Sequence, residues 1–325
     1  MKFLFSFFIF LSTFFLSYSQ TYTGDIWLNS QAKVDSFGAI GYTRVNGHLR
    51  IHNSSINDLT PLYTLNKVIG KLTILGNDNL TTLNGLHNLE TVTNTLNIDN
   101  NDALTTLDGL NGLDSLLNEF KITNNDNLTT FDGLQNLTYI SSDLTIESNE
   151  NLISLYGLNN LSALNEVELN IINNLSLTSI NSFEHTTHLF RLNIKSNENL
   201  TTIEGLNNLV YAGSIRIQEN ASLQSLSGLE HLESSFYIYL NSNTSLTNLI
   251  GLEHLNSVYF FNMTDLPLLL SLDELDNISS VNNLIISNCH SLEALPNFNN
   301  LISLTDLSIS YNNALTSLSG FNTLT

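Results

Sequence analysis

Leu144-Thr145-Ile146-Glu147-Ser148-Asn149-Glu150-Asn151-Leu152-Ile153-Ser154-Leu155-Tyr156-Gly157-Leu158 reads L-x-I-x-x-N-x-x-L-x-x-L-x-G-L, and most of the chain repeats that phrase. The L-x-I portion has period two, so Leu144 and Ile146 point to one face and Thr145 to the other. This predicts a short strand, and stacked copies of it predict a parallel sheet. The L-x-x-L portion breaks period two and reads as a corner. The Gly suits a tight backbone turn there.

The Gly position marks the period along the chain. Gly85, Gly109, Gly133 and Gly157 lie 24 apart, Ser182 follows at 25, and Gly205, Gly228, Gly251, Glu274, Asn297 and Gly320 follow at 23. Pro61 takes the slot in a first, slightly shorter coil. The expectation is a mainly β, right-handed parallel β-helix or leucine-rich-repeat-like solenoid of about twelve coils of 23–25 residues over 48–325. With coils about 4.8 Å apart, the rod is roughly 50–60 Å long.

The Asn after each strand recurs as Asn77, Asn101, Asn125, Asn149, Asn174, Asn197, Asn220, Asn243 and Asn312. An inward amide at a corner offers both a donor and an acceptor to backbone groups that leave the sheet. A buried polar group left unpaired costs about 1–3 kcal/mol, so this column is read as structural. Leu266 and Cys289 hold the slot in two coils. Cys289 is the only cysteine, which excludes an intramolecular disulfide and any Cys-based metal framework, and it reads as a small buried side chain.

Outside the repeat, residues 1–19 read as a signal peptide. Lys2 is the charged region, Phe3 to Leu16 the apolar run and Ser17-Tyr18-Ser19 a small-x-small cleavage site before Gln20. The apolar run is shorter than the roughly 20 residues of a spanning helix. Residues 20–47 read as an N-terminal cap. It comprises a short strand at Asp25–Leu28, a short helix from an Asn29 or Ser30 N-cap to Gly38, and a hairpin over Tyr42–Ile51 turning at Asn46-Gly47. Trp27 and Phe37 are expected to cover the bare first coil.

The phrase resembles the receptor L-domain family, a relative of leucine-rich repeats. Two residues separate the Asn from the next apolar position, as in Asn149-Glu150-Asn151-Leu152, where the ordinary leucine-rich pattern has one. The opening Leu28–Gly38, with Tyr42-Thr43 and Asn46–Ile51, resembles the start of secreted bacterial members of the Bacteroidetes type. The likeness covers roughly residues 25 to 325. It implies a solenoid and an extracellular or cell-surface setting. It does not carry over receptor signalling, because the cysteine-rich modules, membrane span and kinase of growth-factor receptors have no counterpart here. Bacterial relatives often end in a sorting or anchoring domain, whereas this sequence stops in mid-coil at Gly320–Thr325. The expectation is a truncated end or one closed by something else.

Charge bounds the partners. Thirty acidic against ten basic residues give a net charge of −20, and no Lys or Arg follows Arg216. Nucleic acid and anionic membranes are therefore unfavourable partners, since repulsion replaces counterion release. The outward strand column offers a ribbon for an extracellular protein or glycan. It runs Thr73, Asn97, Lys121, Thr145, Asn170, Asn193, Arg216, Tyr239, Asn262, Ile285 and Ser308. Arg191, Lys195, Arg216, Tyr237, Tyr239 and Phe260 should gather over four coils and form the candidate ligand-binding set, because Arg and aromatics are typical anchors of recognition. The bland alternative is a solvated sheet face with cross-strand aromatic packing.

Other sites are weaker. Asp78, Asp102, Asp126, Glu150 and Glu198 each follow the ladder Asn and read as solvated turn carboxylates rather than calcium ligands. No cofactor or metal is expected. Asp143, Glu147 and Glu168 on neighbouring coils are the residues for the alternative reading, a polysaccharide-active enzyme with paired carboxylates, but no cation is expected beside them. His185 and His188 read as loop residues. The pairs Thr81-Thr82, Thr105-Thr106, Thr129-Thr130 and Thr201-Thr202 do not build the flat T-x-T face of an ice-binding surface. The glycosylation-type triplets at Asn79, Asn127 and Asn199 are read as products of the repeat's own composition. The favoured reading is a secreted, non-catalytic recognition or adhesion module.

Overall fold

The computed structural model describes residues 20–162 and 164–321; the signal-peptide reading of residues 1–19 lies outside them. The described residues wind into a mainly β solenoid of thirteen coils. One sheet has thirteen parallel strands, one per coil, from Ile26–Leu28 to Ser303–Ser310. A second parallel sheet has six strands, from Thr21–Thr23 to Tyr139–Ile140. No helix among the described residues is long and apolar enough to cross a membrane.

The repeat phrase explains one coil directly. Leu144, Ile146, Leu152, Leu155 and Leu158 are fully buried, and Leu161 and Leu164 nearly so. The first two alternate along the strand Leu144–Glu147. The others recur every three residues, and Leu152, Leu158 and Leu161 each close a tight turn. Leu152 N–H donates to Asn149 O at 3.1 Å, Leu158 N–H to Leu155 O at 3.1 Å and Leu161 N–H to Leu158 O at 3.2 Å. A three-residue turn brings every third side chain to the same side, so the period changes from two to three where strand gives way to turns. Gly133 shows why the slot favours glycine. Its φ is 109°, and a Cβ there would lie 2.1 Å from Leu107 O of the preceding coil.

The Asn column is a continuous ladder. Asn149 Oδ1 accepts from Asn125 N–H at 3.1 Å, and Asn149 Nδ2 donates to Ile122 O and Glu147 O, both at 3.1 Å. The same pattern recurs at Asn101, Asn125, Asn174, Asn197 and Asn220. Asn77, Asn243 and Asn312 also reach back to the preceding strand, at Ile51 O, Ile217 O and Ile286 O. Residues 77 to 243 of the column are fully buried, and Asn312 is half-buried. The residue before each rung is left-handed, with φ between 53° and 59° from Gly76 through Asn100, Asn124 and Ser148 to Tyr311. That turn swings backbone groups out of the sheet, and the amide receives them. Cys289 is buried in the column, with its Sγ 3.6 Å from Ser287 O and 3.9 Å from Met263 O. It stands where other rungs place Nδ2.

A second ladder had no counterpart in the expectations. Asn88, Asn136, Asn160, Asn208, Asn277 and Asn300, exposed in the segment after the Gly, donate Nδ2 to a carbonyl of the preceding coil. His231 and His254 take the same place, with Nδ1 2.6 Å from Asn207 O and 2.7 Å from Glu230 O. Asn79, Asn127 and Asn199 are tied in the same manner to Ser54, Asp102 and Leu175.

The N-terminal segment differs from expectation in four ways. Tyr42–Ile51 is not a hairpin. Arg44–Asn46 and Leu49–Ile51 belong to different sheets, each pairing in parallel with the coils beside it, and Gly47 turns the corner between them. Ile26–Leu28 already pairs with Leu49–Ile51, so residues 20–47 form the first coil rather than an element outside the repeat. The helix spans Gln31–Ile40, with Ser30 as N-cap and the left-handed Gly41 as its end. Gly38 is internal, where a Cβ would lie 2.3 Å from Pro61 O. Phe37 is buried as expected, but Trp27 is 64% exposed on the outer ribbon with Arg50 Cζ 5.9 Å from its ring.

The cross-section changes half-way. In the early coils three residues separate the last inward residue of the second sheet from the first of the long sheet, as between Val92 and Leu96. They make a corner between two short strands. The junction coil has four residues between Leu164 and Leu169. From Leu189 to Leu192 there are two, and the corner vanishes into one eight-residue strand, His188–Lys195. Every later coil keeps that form, through Tyr211–Gln218, Ser234–Asn241, Ser257–Thr264, Ser280–Ser287 and Ser303–Ser310.

Candidate binding cleft at the first long strands

Inward residues three apart cannot share one face of a regular strand, because strand side chains alternate. The long strands meet this demand with two successive outward residues. In His188–Lys195, Leu189 and Leu192 are buried while Phe190 is exposed and Arg191 half-buried. Phe190 N–H and Arg191 N–H both point to Val167 O, at 3.0 and 3.4 Å, which is the mark of a bulge. Stacking this irregularity gives the outer face an extra column, Phe190, Gly213, Phe236 and Tyr259, beside the column Arg191, Ser214, Tyr237 and Phe260.

Gly213 and Ser214 interrupt those columns. A rung without large side chains lies between Phe190 with Arg191 on one side and Phe236 with Tyr237 on the other. The gap is a cleft of about 500 Å³, also lined by Glu166, His188, Tyr211 and Arg216. Its aromatic walls are open to solvent, Phe190 at 59%, Phe236 at 53% and Tyr237 at 40% exposure. Phe236 continues into an aromatic cluster, with Tyr259 at 5.6 Å and Tyr237 at 5.8 Å between ring centroids. Tyr237 and Tyr239 reach Phe260 at 6.4 and 5.4 Å.

The cations are held differently. Arg191 is tied to Glu168, Nη1 to Oε1 at 2.8 Å. Lys195 is paired with Glu219 at 3.3 Å and stands outside the cleft. The Ser196 hydroxyl, followed by Lys195, holds the Glu219 carboxyl below the usual carboxylate range. Arg216 lies over the Tyr239 ring, Cζ 5.4 Å from the centroid, and no ion pair engages it among the described residues. On the floor, Ser214 is 8% exposed and its Oγ has no hydrogen-bond partner among the described residues; Arg191 Nε is likewise buried and unpartnered.

Of the six expected residues, Arg191, Arg216 and Tyr237 line this cleft, Tyr239 and Phe260 support it, and Lys195 does not reach it. Strict alternation misplaces Phe190, Phe236 and Tyr259, which it assigns to the interior. The signal for them is the three-residue spacing of Leu189 and Leu192. His188 is not a loop residue; it begins the long strand and lines the cleft, its ring 6.3 Å from Tyr211.

No protein-family model matches the chain, and no curated protein matches it either.

The other candidate residues are placed as follows. The outward column has the expected register, from Thr73 opposite Asn97 to Ile285 opposite Ser308. Asp143 and Glu168 are on adjacent coils, but Asp143 Oδ1 accepts Glu168 N–H at 2.9 Å and Glu168 holds Arg191. Against the expectation that no cation accompanies these acids, Arg191 does, because the register sets it opposite Glu168 on the preceding coil. Glu147 lies further along its strand, opposite Ile172. In the acidic column, burial and then Asp126 and Asp78 raise the Asp102 carboxyl, and burial and then Glu150 raise Asp126. Among the described residues no three His, Cys, Asp or Glu side chains converge as a metal site.

Proposed function

We propose that this protein is a secreted or cell-surface recognition module of the receptor L-domain type, acting without catalysis through the outer face of its long-strand sheet on an extracellular protein or glycan. The observation that carries this reading is the cleft between Phe190 and Phe236, with Arg191, Arg216 and Tyr237 around it. Exposed aromatic side chains beside arginine are the usual anchors of recognition, since they bury much area at little entropic cost. They are concentrated on four coils of a face that elsewhere presents mostly Asn, Thr and Ser. A net charge of −20 disfavours nucleic acid and anionic lipid as partners.

The test is a binding screen of the full chain against extracellular proteins and glycans, repeated with the double variant Tyr239→Ala/Arg216→Ala. Loss of the detected partner supports this surface, and unchanged binding overturns it. A reducing-sugar release assay run on the same glycans checks the polysaccharide-active alternative. Release abolished by Asp143→Asn or Glu168→Gln would replace the non-catalytic reading.

A further inference from the structure

The cleft is more specific than a sticky aromatic face. Phe190, Gly213 and Phe236 occupy one column on three successive strands. Strands are about 4.8 Å apart, so the two phenylalanines flank an empty rung roughly 9.6 Å wide. A ring placed midway lies about 4.8 Å from each, inside the roughly 4.5–7 Å over which rings stack. The gap therefore has the dimensions of one inserted ring.

The floor tells which kind of ring. Ser214 lines this gap at 8% exposure, its buried Oγ without a partner among the described residues, and the buried Arg191 Nε is also unpartnered. Both atoms are already shut off from water and unpaired, which is costly, and a hydrocarbon ring leaves them so. A hydroxylated ring satisfies them. A pyranose chair is also thicker than a flat aromatic ring and fills the rung better. Toward the C-terminal end of the strands stands Arg216, held over Tyr239 and without a carboxylate partner among the described residues, in a chain with thirty acidic residues. An arginine left free of carboxylates there is placed to receive one from a ligand.

We infer that the cleft takes an acidic pyranose, a hexuronate residue of a polysaccharide, stacked between Phe190 and Phe236, its hydroxyls on Ser214 and Arg191 and its carboxylate on Arg216. This rests on the reading that the long-strand face binds a ligand, and it commits that reading to a glycan.

Calorimetric titration of the full chain tests it with three probes: hexuronate trisaccharides, their methyl esters and neutral hexose trisaccharides. Salt at about 0.15 M keeps the overall negative charge from masking the local contact. The acid is expected to bind at least about tenfold more tightly than its ester, the factor that one charge-assisted hydrogen bond supplies. Arg216→Ala should erase that difference, weakening the acid at least about tenfold and the ester by less. Phe190→Ala removes an exposed side chain, so folding is not at stake, and should weaken acid and ester alike by about tenfold. Ser214→Ala should do the same to a smaller extent.

Equal binding of acid and ester, or indifference to Phe190→Ala, overturns the inference. So does binding of a Tyr-Asp peptide in the absence of any saccharide binding. If no saccharide binds but a protein partner is still lost on Tyr239→Ala/Arg216→Ala, the hexuronate inference falls and the recognition reading stands. If neither binds, both fall.

Discussion

Between Val92 and Leu96 three residues make a corner, and between Leu189 and Leu192 two residues make a bulge. That difference of one residue per coil separates the two halves of the solenoid. The first half has two narrow sheets, an unbroken buried Asn ladder and a column of acids at its turns. The second half has one broad sheet, a ladder interrupted at Leu266 and Cys289, and no acid at the position after the rung beyond Glu198. The first half thus puts its irregularity into corners held by the backbone and polar side chains, such as Asn118 Nδ2 on Asn94 Oδ1. The second puts it on the open face of a sheet, where an extra outward column becomes available. Bulges re-aim side chains, and here the re-aimed ones are Phe190, Phe236 and Tyr259. A longer, flatter strand also widens the surface a ligand can meet.

The largest expected effect breaks the ladder where it is continuous. Asn149→Leu removes the acceptor for Asn125 N–H and the donor to Ile122 O, both buried, and the donor to the part-buried Glu147 O. It should cost about 3 kcal/mol, read as a lowered midpoint in chemical denaturation. A change under about 1 kcal/mol would mean that the ladder is not what holds the first half.

Next comes the face itself. Arg216→Ala/Tyr239→Ala in the second half should weaken partner binding at least about tenfold. Lys121→Ala/Thr145→Ala, at the same column of the first half, should leave it intact in the same assay. Equal losses would show that the whole ribbon, rather than the bulged half, is the contact surface.

Cys289→Ala should cost about 1 kcal/mol or a little more, less than a rung of the first half, since it loses a small buried group and only weak sulfur contacts. The thiol, whose pKa burial pushes up to about 11, should resist thiol reagents at neutral pH and react once the protein is unfolded. Rapid labelling of the folded protein would contradict the burial of this rung.

The smallest effect concerns the acidic column. The folded Asp102 and Asp126 carboxyls are raised, so their ionisation works against folding. Protonated, they favour the folded state below their unfolded pKa, and that stabilisation disappears as pH rises through the folded pKa. Asp102→Asn/Asp126→Asn should therefore raise the melting temperature slightly at neutral pH, with the gain vanishing in acid. A gain of the same size at both ends of the pH range would rule out repulsion as its source.

The sequence by itself determined the coil. Apolar residues at the inward positions, Asn at the rung and Gly at the turn each have one physical reason, burial, amide pairing or close backbone approach, and each repeats often enough to be read without coordinates. The same periodicity placed Arg191, Arg216, Tyr237, Tyr239 and Phe260 on one face, and the shift from 24 to 23 residues at the junction was visible in the Gly spacing. What only the tertiary structure decided is where the lost residue came out. A one-residue change in a repeat can be absorbed at any corner, and each choice turns different side chains outward. Packing chose the step before Leu192, which buried Leu189 and exposed Phe190. It also set Gly213 between Phe190 and Phe236, an adjacency made by the stacking of coils 23 residues apart.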